Sequence, residues 1–167
     1  NIAIGGGTMD KLVSGAKNTA VGFNAFDAAD GAESDNIAIG YDTMGNTNND
    51  STTSNVAIGN YALDAIGTNA QTGIIAIGHN ALSALTSGGL NLAIGYQAGL
   101  LVTGGSSNTF VGYAAADATR VDASRNTALG TGAFGGTHDT ADSNDCVAIG
   151  AYTMGGACNA VTGSVAV

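Results

Sequence analysis

The side chains best suited to catalysis are few in this chain. His79 and His138 are its only two histidines, and neither lies in a motif that pairs a general base with a nucleophile. No Gly-x-Ser-x-Gly and no phosphate-binding loop motif occurs in the sequence. We therefore expect a protein that is not an enzyme and that uses no cofactor.

Two acidic loops are the candidates for metal binding. Their acids are Asp27, Asp30, Glu33 and Asp35 in one loop and Asp139, Asp142 and Asp145 in the other. Acids at alternate positions could supply some of the oxygens that Ca²⁺ requires. Neither loop has the EF-hand spacing or the Gly-Gly-x-Gly-x-Asp calcium repeat. We therefore expect solvated loop charge and no metal site, with calcium as the alternative.

Cysteine chemistry is limited to Cys146 and Cys158. A disulfide between them would be plausible in a surface protein, and two buried thiols are an equally good interpretation. Because the chain has no Cys-x-x-Cys, a zinc site is disfavoured.

The composition also excludes several classes of function. The 167 residues carry a net charge of −9, which disfavours binding to nucleic acid and to anionic lipid. No apolar run of about 18 residues exists, so we expect no membrane insertion. The chain has 27 Gly, no Pro, no Trp and 44% hydrophobic residues, which suggests thin packed layers of small side chains.

An internal repeat organises the whole chain. The string Asn-x-Ala-Ile-Gly and its near copies end at Gly residues 17 to 20 positions apart. The clearest copies supply the motif residues Asn1, Ile4, Gly5, Asn36, Ile39, Gly40, Asn55, Ile58, Gly59, Asn91, Ile94 and Gly95. A second segment, Ala or Thr followed by an apolar residue, begins three residues after most of these Gly residues. The variable remainder is rich in Ser, Thr, Asn, Asp and Gly, as expected of a surface loop.

The motif predicts a strand. Its second and fourth residues are aliphatic or β-branched and share one face, while the small third residue points to the other face. Each repeat is therefore expected to be one coil with two short strands and a return loop. Stacking the coils predicts an all-β, single-stranded parallel β-solenoid of about nine to ten coils over residues 1–167. Because the sequence begins and ends inside the motif, we expect a fragment of a longer fibre.

The direction of the two strand faces is open at this stage. If the aliphatic residues point inward, each contributes on the order of 1.5–3 kcal/mol by burial, and an alanine strip lies outside. That strip makes Ala38, Ala57, Ala76, Ala93 and Phe110 candidates for a subunit interface. If alanine points inward, the exposed aliphatic columns argue more strongly for a partner. In both cases we expect a symmetric homo-oligomer.

The repeats resemble the YadA-like head repeats of trimeric autotransporter adhesins, and similar repeats in bacteriophage tail fibres. Asn55 to Gly59 and Gly163 to Val167 come closest to the adhesin motif, and Gly95-Tyr96-Gln97-Ala98 to the tail-fibre form. The resemblance implies a left-handed β-roll, a homotrimer and an extracellular role on a virion surface or, alternatively, on a bacterial surface. The coils here are longer than is usual in the adhesin heads.

Aromatic residues recur just after the motif Gly. Tyr41, Tyr96 and Tyr113 follow it directly, and Tyr61 and Tyr152 lie one place further on. His79 occupies the same column, which suggests a surface role. Tyrosine suits recognition of a sugar or protein, although packing between subunits would also explain a regular column.

These observations favour a structural fibre segment that mediates or projects host attachment, through a receptor or glycan that the sequence does not identify. An adhesin head is the alternative. An ice-binding solenoid would need an outward Thr-x-Thr row, which the motif does not supply. The column of Asn residues is expected to form a stacked amide ladder at a corner of the coil.

Overall fold

The computed structural model describes residues 1–49, 51–66, 69–118, 122–136, 143–156 and 162–167. Within these ranges every regular element is a β-strand, and no helix is present that could cross a membrane. The strands are β1 (Ile2–Ile4), β2 (Thr19–Val21), β3 (Ile37–Ile39), β4 (Val56–Ile58), β5 (Ile75–Ile77), β6 (Leu92–Ile94), β7 (Thr109–Val111), β8 (Thr127–Leu129), β9 (Val147–Ile149) and β10 (Val165–Ala166).

The ten strands form one parallel sheet in sequence order. Each strand pairs with the strands of the preceding and following repeats, and the motif stays in register, so that Ala38 lies opposite Ala20 and Ala57. One repeat is therefore one turn of a β-solenoid, as the sequence predicts. The stacking supplies hydrogen-bond partners to strands too short to be stable alone.

The prediction of a second strand in each coil is wrong. After the motif Gly the chain forms turns in which alternate residues have a left-handed backbone, for example Asp42 at φ 47° and Met44 at φ 52°. A strand requires negative φ at every residue. The turns still connect the coils, because the Met44 N–H donates to the Ala62 carbonyl at 3.1 Å. Alternate inward side chains here resemble the pattern of a strand in the sequence.

The strand faces are settled in favour of inward alanine. Ala38, Ala57, Ala76, Ala93 and Phe110 are at most 1% exposed and line the interior of the coil. Their assignment to a subunit interface was therefore wrong, and the aliphatic residues at the second and fourth motif positions point outward. The small third residue lets the sheet approach the opposite wall, which carries the larger apolar residues of the turn segment, such as Leu63 and Leu82.

Phe110 shows how the core volume is conserved. It replaces the small residue of its column, and the nearest turn segments carry Gly99 and Ala116 where other coils have a large residue. A Cβ added at Gly99 would lie 3.2 Å from the Phe110 ring. The phenyl ring thus fills, from the opposite wall, the space left by two small residues, and three departures from the repeat are one packing exchange.

The predicted asparagine ladder is present. The Asn55 amide donates to the Asn36 side-chain oxygen at 3.2 Å, and the Asn55 backbone N–H donates to the same oxygen at 3.0 Å. Its Nδ2 also reaches the Gln71 carbonyl at 2.9 Å. The left-handed residue at this corner precedes the Asn, as Asp35 at φ 61° and Ser54 at φ 60° illustrate.

The motif Gly is required by a close approach between coils. A Cβ added at Gly22, whose φ is 144°, would lie 2.1 Å from the Gly40 carbonyl oxygen. No side chain fits at that distance, and L-residues rarely adopt that φ. The Gly column therefore sets how tightly the coils stack beside the strands.

Candidate functional site

The outward side of the sheet is an apolar surface, which we term the aliphatic face. It comprises the second and fourth motif residues of the strands, with partly exposed members such as Ile37, Ile39, Ile75, Ile94, Leu129 and Ile149 at 36–45% exposure. Because the strands are in register, these side chains form two parallel columns along the solenoid axis.

Such a face is unusual on an isolated soluble chain. Antiparallel sheets often solvate one side, but they then carry polar residues there. Here only Thr19, Thr109 and Thr127 interrupt the aliphatic second-position column, and the sheet carries no Thr-x-Thr row. Contiguous exposed apolar surfaces of this kind are characteristic of regions that contact other macromolecules.

A row of six rings lies beside the aliphatic face, one Gly beyond the strands, and we term it the aromatic ladder. Its members are Phe23, Tyr41, Tyr61, His79, Tyr96 and Tyr113. Successive ring centroids are 5.3–6.0 Å apart. His79 stacks on Tyr96 with an interplanar angle of 15°, so its predicted place in the aromatic column is confirmed.

Ring orientation decides which surfaces of the ladder a partner could contact. Tyr96 and Tyr113 are stacked with planes 6° apart, so they cover each other's faces and present mainly edges and hydroxyls. Tyr61 is turned by 73° from Tyr41 and by 74° from His79. The rings of the ladder therefore pack mainly against one another, and a partner would contact their edges and hydroxyl groups.

The ladder ends at Tyr113, where the next coil has Thr131 in place of an aromatic residue. A cavity of about 280 Å³ lies there, with Tyr113 and Tyr152 among its lining side chains and Gly132 and Gly135 among its backbone. Tyr113 is 58% exposed against 45% for Tyr96, since one of its faces has no ring against it. This cavity offers the most accessible aromatic faces near the ladder.

An acidic groove runs across the neighbouring turns at the other end. Asp27, Asp42 and Asp64 line it together with Lys11 and Asn46. Burial, with a smaller contribution from the charges of Asp42 and Asp27, raises the pKa of the Asp64 carboxyl to about 6. Burial also raises the pKa of Asp27, while Lys11 opposes that shift.

The candidate calcium ligands among the described residues do not form a metal site. Asp30 is exposed, Glu33 is fully buried inside the coil, and Asp35 pairs with Lys17 at 3.6 Å. Asp145 binds Arg125 through two contacts of 2.6 and 2.8 Å. Within the described ranges no three His, Cys, Asp or Glu side chains could hold a metal ion.

Several sequence predictions fall on residues outside the described ranges. These are His138, Asp139, Asp142 and Cys158. Cys146 is buried in the Asn column, where its backbone N–H donates to the Asn126 side chain at 2.9 Å and its Sγ lies 3.3 Å from the Asn144 carbonyl. The disulfide interpretation therefore stays a prediction.

Sequence reasoning missed the acidic groove. Asp27 and Asp64 occupy equivalent positions of their turns, and Asp42 lies in the turn between them. Equal phase within the turn was the available signal, and it is not visible in the runs of acids along the chain. The accessible end of the ladder was missed for a related reason, because it arises from one absent aromatic residue.

Comparison with known proteins gives no relative for this chain. No family model, no curated protein and no solved structure matches it.

Proposed function

We propose that this chain is a structural segment of a homotrimeric surface fibre that mediates or projects host attachment. The observation that carries the proposal is the aliphatic face, which runs the length of the sheet in register and remains exposed in the single chain. Three chains packed around a threefold axis, with these faces turned towards it, would remove them from water through heterologous contacts that close into a ring.

The remaining features support an extended attachment structure over a catalyst. The stacked coils would form a rod of roughly 45 Å at ~4.8 Å per strand. The rod has tyrosine hydroxyls along one strip and an aromatic cavity at the end of that strip. Tyrosine side chains of this kind suit contact with a glycan or a protein receptor.

The resemblance of the repeats favours a left-handed roll on a virion, in the manner of a phage tail fibre. A bacterial adhesin head is the second candidate, because it resembles the same motif and would use the same faces. The segment Gly95-Tyr96-Gln97-Ala98 favours the tail-fibre form.

Light scattering of the folded protein at several concentrations tests the assembly. We expect three times the chain mass of 16.2 kDa. Ile39→Asp and Ile94→Asp place charges in the aliphatic face, where a desolvated carboxylate costs several kcal/mol, and each should reduce the mass to that of one folded chain. Val13→Asp is the matched control, since Val13 is 82% exposed and lies outside the sheet.

A folded monomer for the unaltered protein, or trimers that tolerate both charged variants, would contradict the proposal. The trimer then serves as the probe for attachment, applied to arrays of glycans and to intact cells. Binding to a glycan or a cell that requires Tyr113 and Tyr152 would support the attachment role. A trimer that binds no glycan and no cell would leave only a structural role.

A further inference from the structure

Several buried polar atoms of the solenoid have no hydrogen-bond partner, although the asparagine ladder is fully paired. Of the buried side-chain nitrogen and oxygen atoms of the described residues, five have no hydrogen-bond partner. One is His79 Nδ1 in the aromatic ladder, and the other four are the oxygens Glu33 Oε1, Thr47 Oγ1, Thr52 Oγ1 and Gln71 Oε1. All four belong to residues that are at most 1% exposed. Buried polar atoms of this kind normally have a partner.

Three of these residues are in register. Glu33, Thr52 and Gln71 occupy the same phase of three successive turns, each directly before a residue of the bridges Ser34–Thr53 and Thr53–Thr72. Parallel pairing places such neighbours ~4.8 Å apart on the same side. Their side chains therefore stack inside the coil, and the turns beyond them carry Gly15 and Gly88 at this phase.

Thr47 lies in the adjoining inward column, with Ala29, Ile66 and Leu85 in neighbouring turns. The two columns touch, because Gln71 Nε2 donates to the Leu85 carbonyl of the following turn at 3.3 Å. Thr47 holds the same position relative to Glu33 as Leu85 holds relative to Gln71. Because a carbonyl can only accept a hydrogen bond, the Gln71 atom that faces the Leu85 carbonyl must be Nε2. The atom of the Gln71 amide without a partner is therefore Oε1.

The negative charge of the buried Glu33 carboxylate is the second observation that indicates a bound ion. Glu33 uses Oε2 to accept the Gly31 N–H at 3.0 Å, which leaves Oε1 without a donor. The ion pairs of the described residues join Lys17 to Asp35 and Arg125 to Asp145, so Glu33 has no basic partner among them. A buried carboxylate without a counter-charge is strongly disfavoured.

We propose that Glu33, Thr47, Thr52 and Gln71 form an internal site for a small monovalent cation of the Na⁺ type. A carboxylate, two hydroxyls and an amide oxygen are the hard oxygen ligands that such a cation takes. One positive charge neutralises the single carboxylate, whereas a divalent ion would leave a net buried charge. The site is independent of the fibre assembly, because all four residues lie inside one chain.

Thermal unfolding in chloride salts of equal ionic strength tests the site. The protein should unfold at a higher temperature in NaCl than in N-methyl-D-glucamine chloride, and the difference should rise with the logarithm of the Na⁺ concentration, as for a ligand bound by the folded state. Glu33→Gln should abolish at least ~90% of this dependence, because it removes the charge that holds the ion. Asp35→Asn, an acid two residues away on the surface, is the matched control and should keep the dependence.

Glu33→Gln is expected to fold, since Gln71 already occupies the same phase two turns away. High-resolution electron density from crystals grown in NaCl gives an independent readout and should place one ion between these four oxygens. Equal unfolding temperatures in both salts, an effect that persists in Glu33→Gln, or density for water alone would overturn the proposal.

Discussion

At the residue scale, Phe110 and Gly99 show that this repeat protein is packed by compensation between its walls. The phenyl ring lies in contact distance of the space above Gly99, which itself has a left-handed φ of 65°. Leu63 and Leu82 adopt φ values of 54° and 50° at the same phase of other turns. The backbone of the turn therefore accepts a leucine where the interior leaves room for it.

Moving the large side chain from position 110 to position 99 tests this packing. Phe110→Ala should cost about 3–5 kcal/mol by leaving a cavity, and Gly99→Leu alone should also destabilise because its side chain meets Phe110 and Leu82. The double variant restores the pattern of the other turns and should recover more than half of the loss. Chemical denaturation of all four proteins measures the coupling, and strictly additive costs would show that the two residues are not one packing unit.

At the scale of the element, the strand was predictable and its direction was not. Period-2 alternation and the repeat length lead to β3 and its in-register neighbours from sequence alone. The choice between Ala38 and Ile39 as the inward residue depends on the opposite wall, which carries side chains such as Leu63 and Leu82. Hydrophobicity would place Ile39 inside, but the interior has room only for a small side chain wherever the opposite wall carries a large one.

The turn segment after the motif Gly was wrongly predicted to be a strand because of its local backbone conformation. Met44 and Phe134 are apolar and inward at left-handed φ values of 52° and 56°, which few non-glycine residues adopt. A sequence of alternating apolar residues gives no signal for such a backbone. The stacked coils supply it, because these left-handed residues donate their N–H groups to neighbouring coils. The Phe134 N–H donates to the Thr153 carbonyl of the next coil at 2.7 Å, and the Asp42 N–H donates to the Phe23 carbonyl of the preceding coil at 3.0 Å.

The asparagine ladder is the element whose stability is easiest to test. Asn36→Ala removes an amide that donates to the Thr52 carbonyl at 3.0 Å and an oxygen that accepts the Asn55 N–H at 3.0 Å. Both partners are buried and would be left unpaired, so we expect a loss of about 2–4 kcal/mol in the free energy of unfolding.

Asn1→Ala provides the control for that change. Asn1 makes the same two kinds of bond, to Gly15 at 2.7 Å and from Asn18 at 2.9 Å, but the side chain is exposed. Water can replace both partners there, and the loss should stay below about 1 kcal/mol. Similar losses in the two variants would mean that burial does not strengthen the ladder.

At the scale of the whole molecule, the sequence predicts a stacked array and a net charge of −9 but not where the charge concentrates. Solenoid stacking brings Asp27, Asp42 and Asp64 into one groove although they are far apart along the chain. The same stacking builds the aliphatic face and the aromatic ladder. Each of these surfaces forms because residues at matching positions of successive turns stack on one another. Composition alone does not show which positions match.

The acidic groove predicts that acid stabilises this fold. The pKa of Asp64 is raised from 3.8 to about 6 in the folded chain, so the folded state binds that proton more tightly than the unfolded state. The resulting stability is complete below pH ~4 and is lost as the pH rises through ~6. Because the carboxyl is about half exposed, we discount the full shift to about 1–2 kcal/mol.

Asp64→Asn should therefore raise the stability at pH 8 and have little effect at pH 4, since an amide stands in for the protonated carboxyl. Urea unfolding of the folded assembly across this range measures the difference. Asp30→Asn, which removes a charge from an exposed position outside the groove, separates the local effect from the net charge. A pH profile unchanged by Asp64→Asn, or changed equally by Asp30→Asn, would show that overall charge and not the stacking of Asp27, Asp42 and Asp64 controls the stability.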